Sequence, residues 1–161
     1  MWVVAYILAI VGLNWLFIVL PPLPTPLGEL YLATFIVGAV FVLRDYAQRQ
    51  IGHYVLLATL FAGVLTWFMV NPALAVASIT AFAISEMADW AVFSFTGQPL
   101  QRRILTSSMI SVPLDTFAFL YLSGFLTPAS FATEVASKTV GVMVVWYLLK
   151  LRMGDAPAPA H

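Results

Sequence analysis

Five ionisable residues sit inside long apolar runs of this chain: Glu86, Asp89, Asp115, Glu134 and Lys138. A charge within a membrane-spanning helix is costly, so such groups turn toward the protein interior and usually serve a function. The three runs that carry them are centred near residues 84, 115 and 140. At about 1.5 Å of rise per residue, Glu86, Asp115 and Lys138 therefore reach a similar depth from three different helices. Phe82, Glu86, Asp89 and Phe93 recur at spacings of four, three and four, which places them on one helix face. A carboxylate pair flanked by aromatic rings suits a flat polar ligand or a cation. Ser108, Ser111, Asp115 and Phe119 form a similar stripe. Pro113 should kink that helix near mid-membrane, where broken helices often line a substrate cavity. Four acids against one lysine leave a formal charge of minus three. Repulsion at that density calls for bound protons, a cation or several N–H donors, and disfavours an anionic substrate.

Plainer readings compete for some of these residues. Glu134 and Lys138 are four apart with the acid first, the favoured ion-pair order on a helix, and would equally make a buried strut. Arg44, Asp45 and Arg49 read as a charge cluster at the membrane edge. Asn14 reads as an interhelical hydrogen bond rather than a ligand group. The serine stripe alone would signify close helix packing. Glu86, Asp89 and Asp115 are the residues that packing explains least.

Composition dictates the scaffold that positions them. Hydrophobic residues make up 62% of the 161 residues and charged residues 9%, with a mean hydropathy of +0.98. An ordinary globular domain is about 45–50% apolar and about 25% charged. So few charges cannot coat a water-facing surface, which excludes a soluble domain and a disordered chain and makes the bilayer the solvent. Seven Lys plus Arg balance seven Asp plus Glu, leaving no basic excess to grip nucleic acid. The chain has no cysteine, so disulfides, iron–sulfur clusters and thiolate metal sites are excluded. His53 and His161 fall outside the apolar runs, so a haem held between histidines within the membrane is excluded too. No cofactor and no bound metal are expected.

Six runs are candidates to cross a bilayer: 1–20, 30–43, 51–70, 73–95, 104–126 and 130–149. The second is short and recruits Glu29 at its outer end and Arg44 and Asp45 at its inner end. The first lacks the basic start of a signal peptide and has a longer apolar run, so it reads as a retained helix. Pro21, Pro22, Pro24 and Pro26 then exclude helix. The loops at 71–72 and 123–128 are short. The expectation is an all-α polytopic membrane protein, with one six-helix transmembrane domain over 1–153 and a disordered Pro- and Ala-rich tail over 154–161. Matching motifs in the two halves, the mark of an inverted repeat, are not evident. Arg44 and Arg49 follow the second run, Arg102 and Arg103 the fourth, and Lys150 and Arg152 the sixth. The three opposite loops hold no Lys or Arg. Positive residues mark the cytoplasmic side, so both termini are expected inside. Lys138 alone fits no cytoplasmic loop.

Asp45, Arg49 and Gly52 stand in a D-x-x-x-R-x-x-G stretch that resembles one from the queuosine precursor transporter family, formerly called the putative vitamin uptake transporters. Ala77, Ser78, Ala81 and Phe82, followed by Glu86, Asp89, Val92 and Phe93, resemble its next signature. Arg103, Ser107, Ser111, Asp115 and Thr116 resemble its R…S…S…DT region, and Glu134 with Lys138 its final acid-and-lysine pair. The matches run in order across most of the chain. Relatives often carry an uncharged amide where Glu86 stands. The resemblance implies uptake, through a bacterial inner membrane, of 7-deazaguanine bases from which queuosine in tRNA is made. Glu86 or Asp89 would then read the base edge, whose adjacent N–H donors one carboxylate can accept. Phe82 or Phe93 would stack on the ring. Asp115, with Ser111 on its stripe, would hold the amine of an aminomethyl form or the remaining donors. Glu134 and Lys138 would order the cavity or couple it to protons, and Asp45 and Arg49 would form a cytoplasmic gate.

The chain has no P-loop pattern, so ATP hydrolysis of that kind is not expected of it. It would be a self-sufficient secondary carrier, which the resemblance favours, or the substrate-binding subunit of an energy-coupling-factor transporter. Its partners would be a small nucleobase, the lipid bilayer and a second copy, since six short helices gain a full path as a homodimer; nucleic acid is not among them. The rival from another class is a metal-dependent intramembrane enzyme whose paired acids hold a divalent cation. The lack of histidine beside the acids argues against it, and no enzyme activity is expected. Orientation is directly testable because the chain has no cysteine of its own. In intact cells, Leu126→Cys should react with a membrane-impermeant maleimide and Arg49→Cys should not; the reverse pattern would invert the topology.

Overall fold

The computed structural model describes residues 1–21, 23–25, 28–69 and 72–153. The expected tail, Pro22, Pro26, Asn71 and the side chains of Glu29 and Arg152 lie outside what is described. In lipid a backbone must satisfy its own N–H and C=O groups, and nearly every described residue does so in a helix. The helices are α1 (Trp2–Val19), α2 (Ala33–Ile51), α3 (Val55–Met69), α4 (Pro72–Phe95), α5 (Leu100–Ser123) and α6 (Pro128–Met153). Between α1 and α2, where proline excludes helix, stand two short antiparallel strands, β1 (Leu23–Thr25) and β2 (Gly28–Leu30), with Leu23 opposite Leu30. Pro24 is tolerated because both strands of an isolated ribbon are edges.

Among the described residues five stretches are long and apolar enough to cross a membrane: Trp2–Val19, Ala33–Met69, Ala75–Phe95, Leu100–Ser123 and Pro128–Leu151. The second, 37 residues long, contains both α2 and α3. A single 3-10 turn over Gly52–Tyr54 separates them, and Gly52 has φ +59°. The chain reverses there. Trp2 N–H donates to Gln50 Oε1 at 2.8 Å while the rings of Phe17 and Tyr31 meet 5.8 Å apart, so α1 runs antiparallel to α2. Tyr6 bonds to Thr59 at 3.0 Å and Asn14 to Thr66 at 2.9 Å, so α1 runs parallel to α3.

One boundary differs from the sequence expectation with consequence. The apolar run 30–43 becomes a helix that starts at Ala33 and continues to Ile51. Arg44 and Asp45 are thus inside the helix and fully buried among the other helices. The helix continues past them because partners within the bundle compensate their charge, as described below. Pro113, expected to kink its helix, lies inside α5, which continues through it.

The helices meet along small residues, as expected where lipid offers no hydrophobic drive for association. α2 packs on α6 at Gly38 and Gly141, backbone against backbone. A Cβ built on Gly141 would collide with the Phe35 carbonyl and lie 3.3 Å from Gly38 Cα. Large apolar side chains such as Leu57, Phe68, Met87, Phe117 and Leu151 point outward and are exposed on the bundle surface. Gly141→Ala should therefore cost about 1–3 kcal/mol by forcing the two helices apart. Gly12→Ala, with nothing within 4 Å, should be neutral or stabilising by up to about 1 kcal/mol. Thermal unfolding of the two detergent-solubilised variants checks this; equal stability would refute a tight α2–α6 crossing.

Candidate functional site

The centre of the bundle is built around one guanidinium. Arg44 reaches from α2 toward α4, where Glu86 and Asp89 are three residues apart and so share a face. Its Nε donates to Glu86 Oε2 at 2.8 Å and its Nη2 to the Glu86 carbonyl at 3.2 Å. Its Nη1 donates to Asp45 Oδ1 at 3.1 Å and to Gln48 Oε1, and lies 3.0 Å from Asp89 Oδ2. Arg44, Asp45 and Asp89 are all 0% exposed, and Glu86 is 1% exposed. A planar fork of five N–H donors is the one side chain that can serve several carboxylates in this way.

Hydroxyls from the remaining helices complete the shell. Ser107 donates to Asp45 Oδ2 at 3.1 Å and Ser111 to Asp89 Oδ1 at 3.5 Å, both from α5. Thr59 on α3 donates to Glu86 Oε2 at 3.3 Å and is itself bonded to Tyr6 on α1. Gln48 donates its amide to Ser94 at 2.9 Å. Glu86 Oε1 is buried without a hydrogen-bond partner among the described residues.

A second ionic cluster lies between α5 and α6. Lys138 Nζ donates to Asp115 Oδ2 at 2.9 Å and to Thr116 Oγ1 at 3.1 Å. Glu134 Oε2 is farther, at 3.8 Å, and its other oxygen accepts from Thr34 on α2 at 3.3 Å. Ser85 donates to Asp115 Oδ1 at 3.4 Å. As the neighbour of Glu86, it joins the two clusters. Five carboxylates thus face two cations, a formal charge of minus three. Buried charges persist only when paired and hydrogen-bonded, and the serines and threonines here do much of that pairing.

The structure groups the sequence candidates differently from their helix stripes. Glu86, Asp89 and Ser111 meet at Arg44, whereas Asp115 turns to Lys138. Glu134 and Lys138 are in range of each other, but the shorter bond of Lys138 crosses to α5. Asp45 joins the Arg44 hub while Arg49 is exposed at the end of α2, so these two do not pair. Phe82 is partly buried among Tyr6, Val55, Ala58 and neighbouring apolar residues. Phe93 is packed in the core, with the Arg103 guanidinium 4.7 Å over its ring. Asn14 makes the interhelical bond expected of it.

Sequence reasoning missed Arg44 as the hub, together with Tyr6, Thr34, Gln48, Thr59, Ser85, Ser107 and Thr116. One signal was present. Gly52 is a helix-stop residue, and a helix allowed to run to it carries Arg44, Asp45 and Gln48 inward with spacing that lets Arg44 meet Gln48 at i,i+4. Among the described residues no three His, Asp or Glu side chains form a group that could hold a metal ion; Arg44 occupies the middle of the densest acidic cluster.

A family model described as "Putative vitamin uptake transporter" matches residues 1–155. No curated protein and no solved structure matches the chain.

The hub makes a sharp demand on stability. Removing one partner of a buried ionic cluster costs about 3–5 kcal/mol. Arg44→Met should accordingly abolish a monodisperse peak in detergent gel filtration. Adding Asp45→Asn, Glu86→Gln and Asp89→Asn to it should recover one, because no charge is then left uncompensated. An Arg44→Met protein as stable as the parent would show that the hub does not hold the bundle together.

Proposed function

The chain belongs to the family described as putative vitamin uptake transporters, and from that premise we propose that it imports 7-deazaguanine bases, the queuosine precursors, across a bacterial inner membrane. The observation that carries the reading is the grip of Glu86, Asp89 and Asp45 on a guanidinium fork. The pairing edge of a 7-deazaguanine carries a ring N–H beside an exocyclic amine, so it offers carboxylates the same planar set of adjacent donors that Arg44 offers. In this reading Arg44 occupies the carboxylates while the site is empty. The entering base exchanges its own N–H groups for those of Arg44 at Glu86 and Asp89, beginning with the unpartnered Glu86 Oε1.

The same exchange accounts for the second cluster. Lys138 holds Asp115 with an ammonium group, which is what the aminomethyl form of the base would present. Ser85 and Ser111 tie Asp115 and Asp89 to the shared wall. Phe82, packed on the side of α4 that faces α1 and α3, would be the ring that stacks on the base. A base lacking the exocyclic amine would leave a buried carboxylate unpaired, a cost of about 1–3 kcal/mol, and this sets selectivity. Glu134 and Lys138 would order the cavity or couple it to protons, and Asp45 and Arg49 would line the cytoplasmic exit.

The transport reading includes six crossings with both termini inside. Its support is the reversal at Gly52, which makes the 37-residue apolar stretch two antiparallel passes. The clustering of Arg49, Arg102 and Lys150 at one end agrees with a cytoplasmic face.

The test uses a bacterium that cannot make queuosine precursors and lacks its own importer. Expressing this chain and feeding low concentrations of each base should restore queuosine in tRNA. Asp89→Glu should keep more uptake than Asp89→Asn, and Asp115→Asn should lose most of it. Equal uptake by the two Asp89 variants would remove the ionic part of the reading. No queuosine despite confirmed membrane expression would overturn the choice of base and leave the carrier architecture standing.

A further inference from the structure

Among the described residues, one end of the bundle presents cations without acids. Arg49 near the end of α2, Arg102 in the first turn of α5 and Lys150 near the end of α6 are exposed. Among the described residues none of them forms an ion pair. Between the start of α5 and the end of α6 lies a groove of about 630 Å³, lined by Pro99, Gln101, Arg102, Leu105, Trp146 and Lys150. Its shape is fixed: Trp146 Nε1 donates to the Gln101 carbonyl at 3.1 Å, tying the two helices together. Lys150 Nζ stands 5.2 Å over the Trp146 ring.

The groove is amphipathic along its length. Arg102 and Lys150 stand at the mouth, where the N-terminus of α5 adds its partial positive charge. Leu105 and Trp146 form the inner walls. One turn deeper on the same helix faces come Met109 and Met143, which are 78% and 50% exposed. A soluble anion would meet the two cations and leave these apolar walls bare. A lipid satisfies both, since its phosphate fits the basic mouth and its chain fits the wall toward mid-bilayer. The inner leaflet of a bacterial membrane is rich in such anionic lipids, and basic pockets between helices on the cytoplasmic side are where their head groups bind. A tryptophan at this level is also at home in the interface.

We propose that this groove binds an anionic phospholipid, its phosphate held by Arg102 and Lys150 and one acyl chain laid along Leu105, Met109 and Met143. The site is separate from the Arg44 hub and does not depend on what the chain transports. The lipid ties α5 to α6 from outside, at the opposite end of α6 from Glu134.

The experiment uses the full chain purified in a neutral detergent. Phosphatidylglycerol, phosphatidylcholine and inorganic phosphate are titrated separately, with the thermal midpoint and lipid adducts in native mass spectrometry as readouts. Phosphatidylglycerol should raise the midpoint and form a one-to-one adduct, and the other two probes should do neither. The variant carrying Arg102→Gln and Lys150→Gln should bind about thirtyfold more weakly, the expected effect of two basic residues at the membrane surface. Arg49→Gln, which removes a charge from the same end but not from the groove, should bind as the parent does. An equal response to phosphatidylcholine, a response to phosphate alone, full binding by the double variant, or an equal loss in Arg49→Gln would each overturn the proposal.

Discussion

Charge neutralisation around Arg44 is the constraint that organises this bundle. In a low-dielectric interior a lone guanidinium or carboxylate is intolerable, and the three acids here are acceptable because each lies within 3.1 Å of the Arg44 guanidinium. Their backbone positions follow from that need. α2 must run past its apolar stretch to deliver Arg44, Asp45 and Gln48. α4 must present Glu86 and Asp89 on the face toward α2. α5 must bring Ser107 and Ser111 close enough to hydrogen-bond the outer carboxylate oxygens. Close approach is possible because the crossing surfaces are made of glycine, alanine and serine, and the Gly38–Gly141 contact seats α6 against the same helix.

The two ionic clusters are unequal in build. Around Arg44 nearly every donor has a carboxylate or amide oxygen, and the cluster is sealed. Around Lys138 the geometry is looser, with one bond of 2.9 Å to Asp115 and a longer approach to Glu134, whose side chain is 16% exposed. The tightly held cluster links α2 to α4, two helices whose backbones hardly touch, and the looser one sits between α5 and α6, which pack directly. Ser85 is shared between them in the sense that its hydroxyl serves Asp115 while its neighbour Glu86 serves Arg44. The two clusters are therefore joined through a single turn of α4.

Much of this was legible in the sequence. Composition alone demanded a membrane protein, and the apolar runs located every helix end to within about four residues except the end of α2, which runs on to Ile51. The cost of intramembrane charge singled out Glu86, Asp89, Asp115, Glu134 and Lys138, all of which lie in the two clusters. Periodicity correctly placed Glu86 and Asp89 on one face, but it cannot say which other helix that face meets. Arg44 was hidden for this reason. Next to Asp45 and Arg49, at the end of an apolar run, it has the sequence look of an interfacial residue. Only the tertiary contacts of α2 show that its charge is compensated from α4. The aromatic stripe misled in the opposite direction, since Phe93 serves Arg103 and the core rather than the acids. The hydroxyl partners Thr59 and Ser85 carry no signal in one sequence, because a serine or threonine in such a helix is equally a packing residue.

The sequence distance across the hub bears on how the protein is made. Arg44 and Glu86 are 42 positions apart. At about 5–20 residues per second, α2 emerges with its arginine and Asp45 several seconds before α4 exists to meet them. Within that interval the pair has only itself and Gln48, one turn on, for company. The nascent hairpin of α1 and α2 therefore has reason to linger beside the insertion machinery until the fourth helix is delivered. In that sense the biogenesis of the bundle is gated by the arrival of a single glutamate.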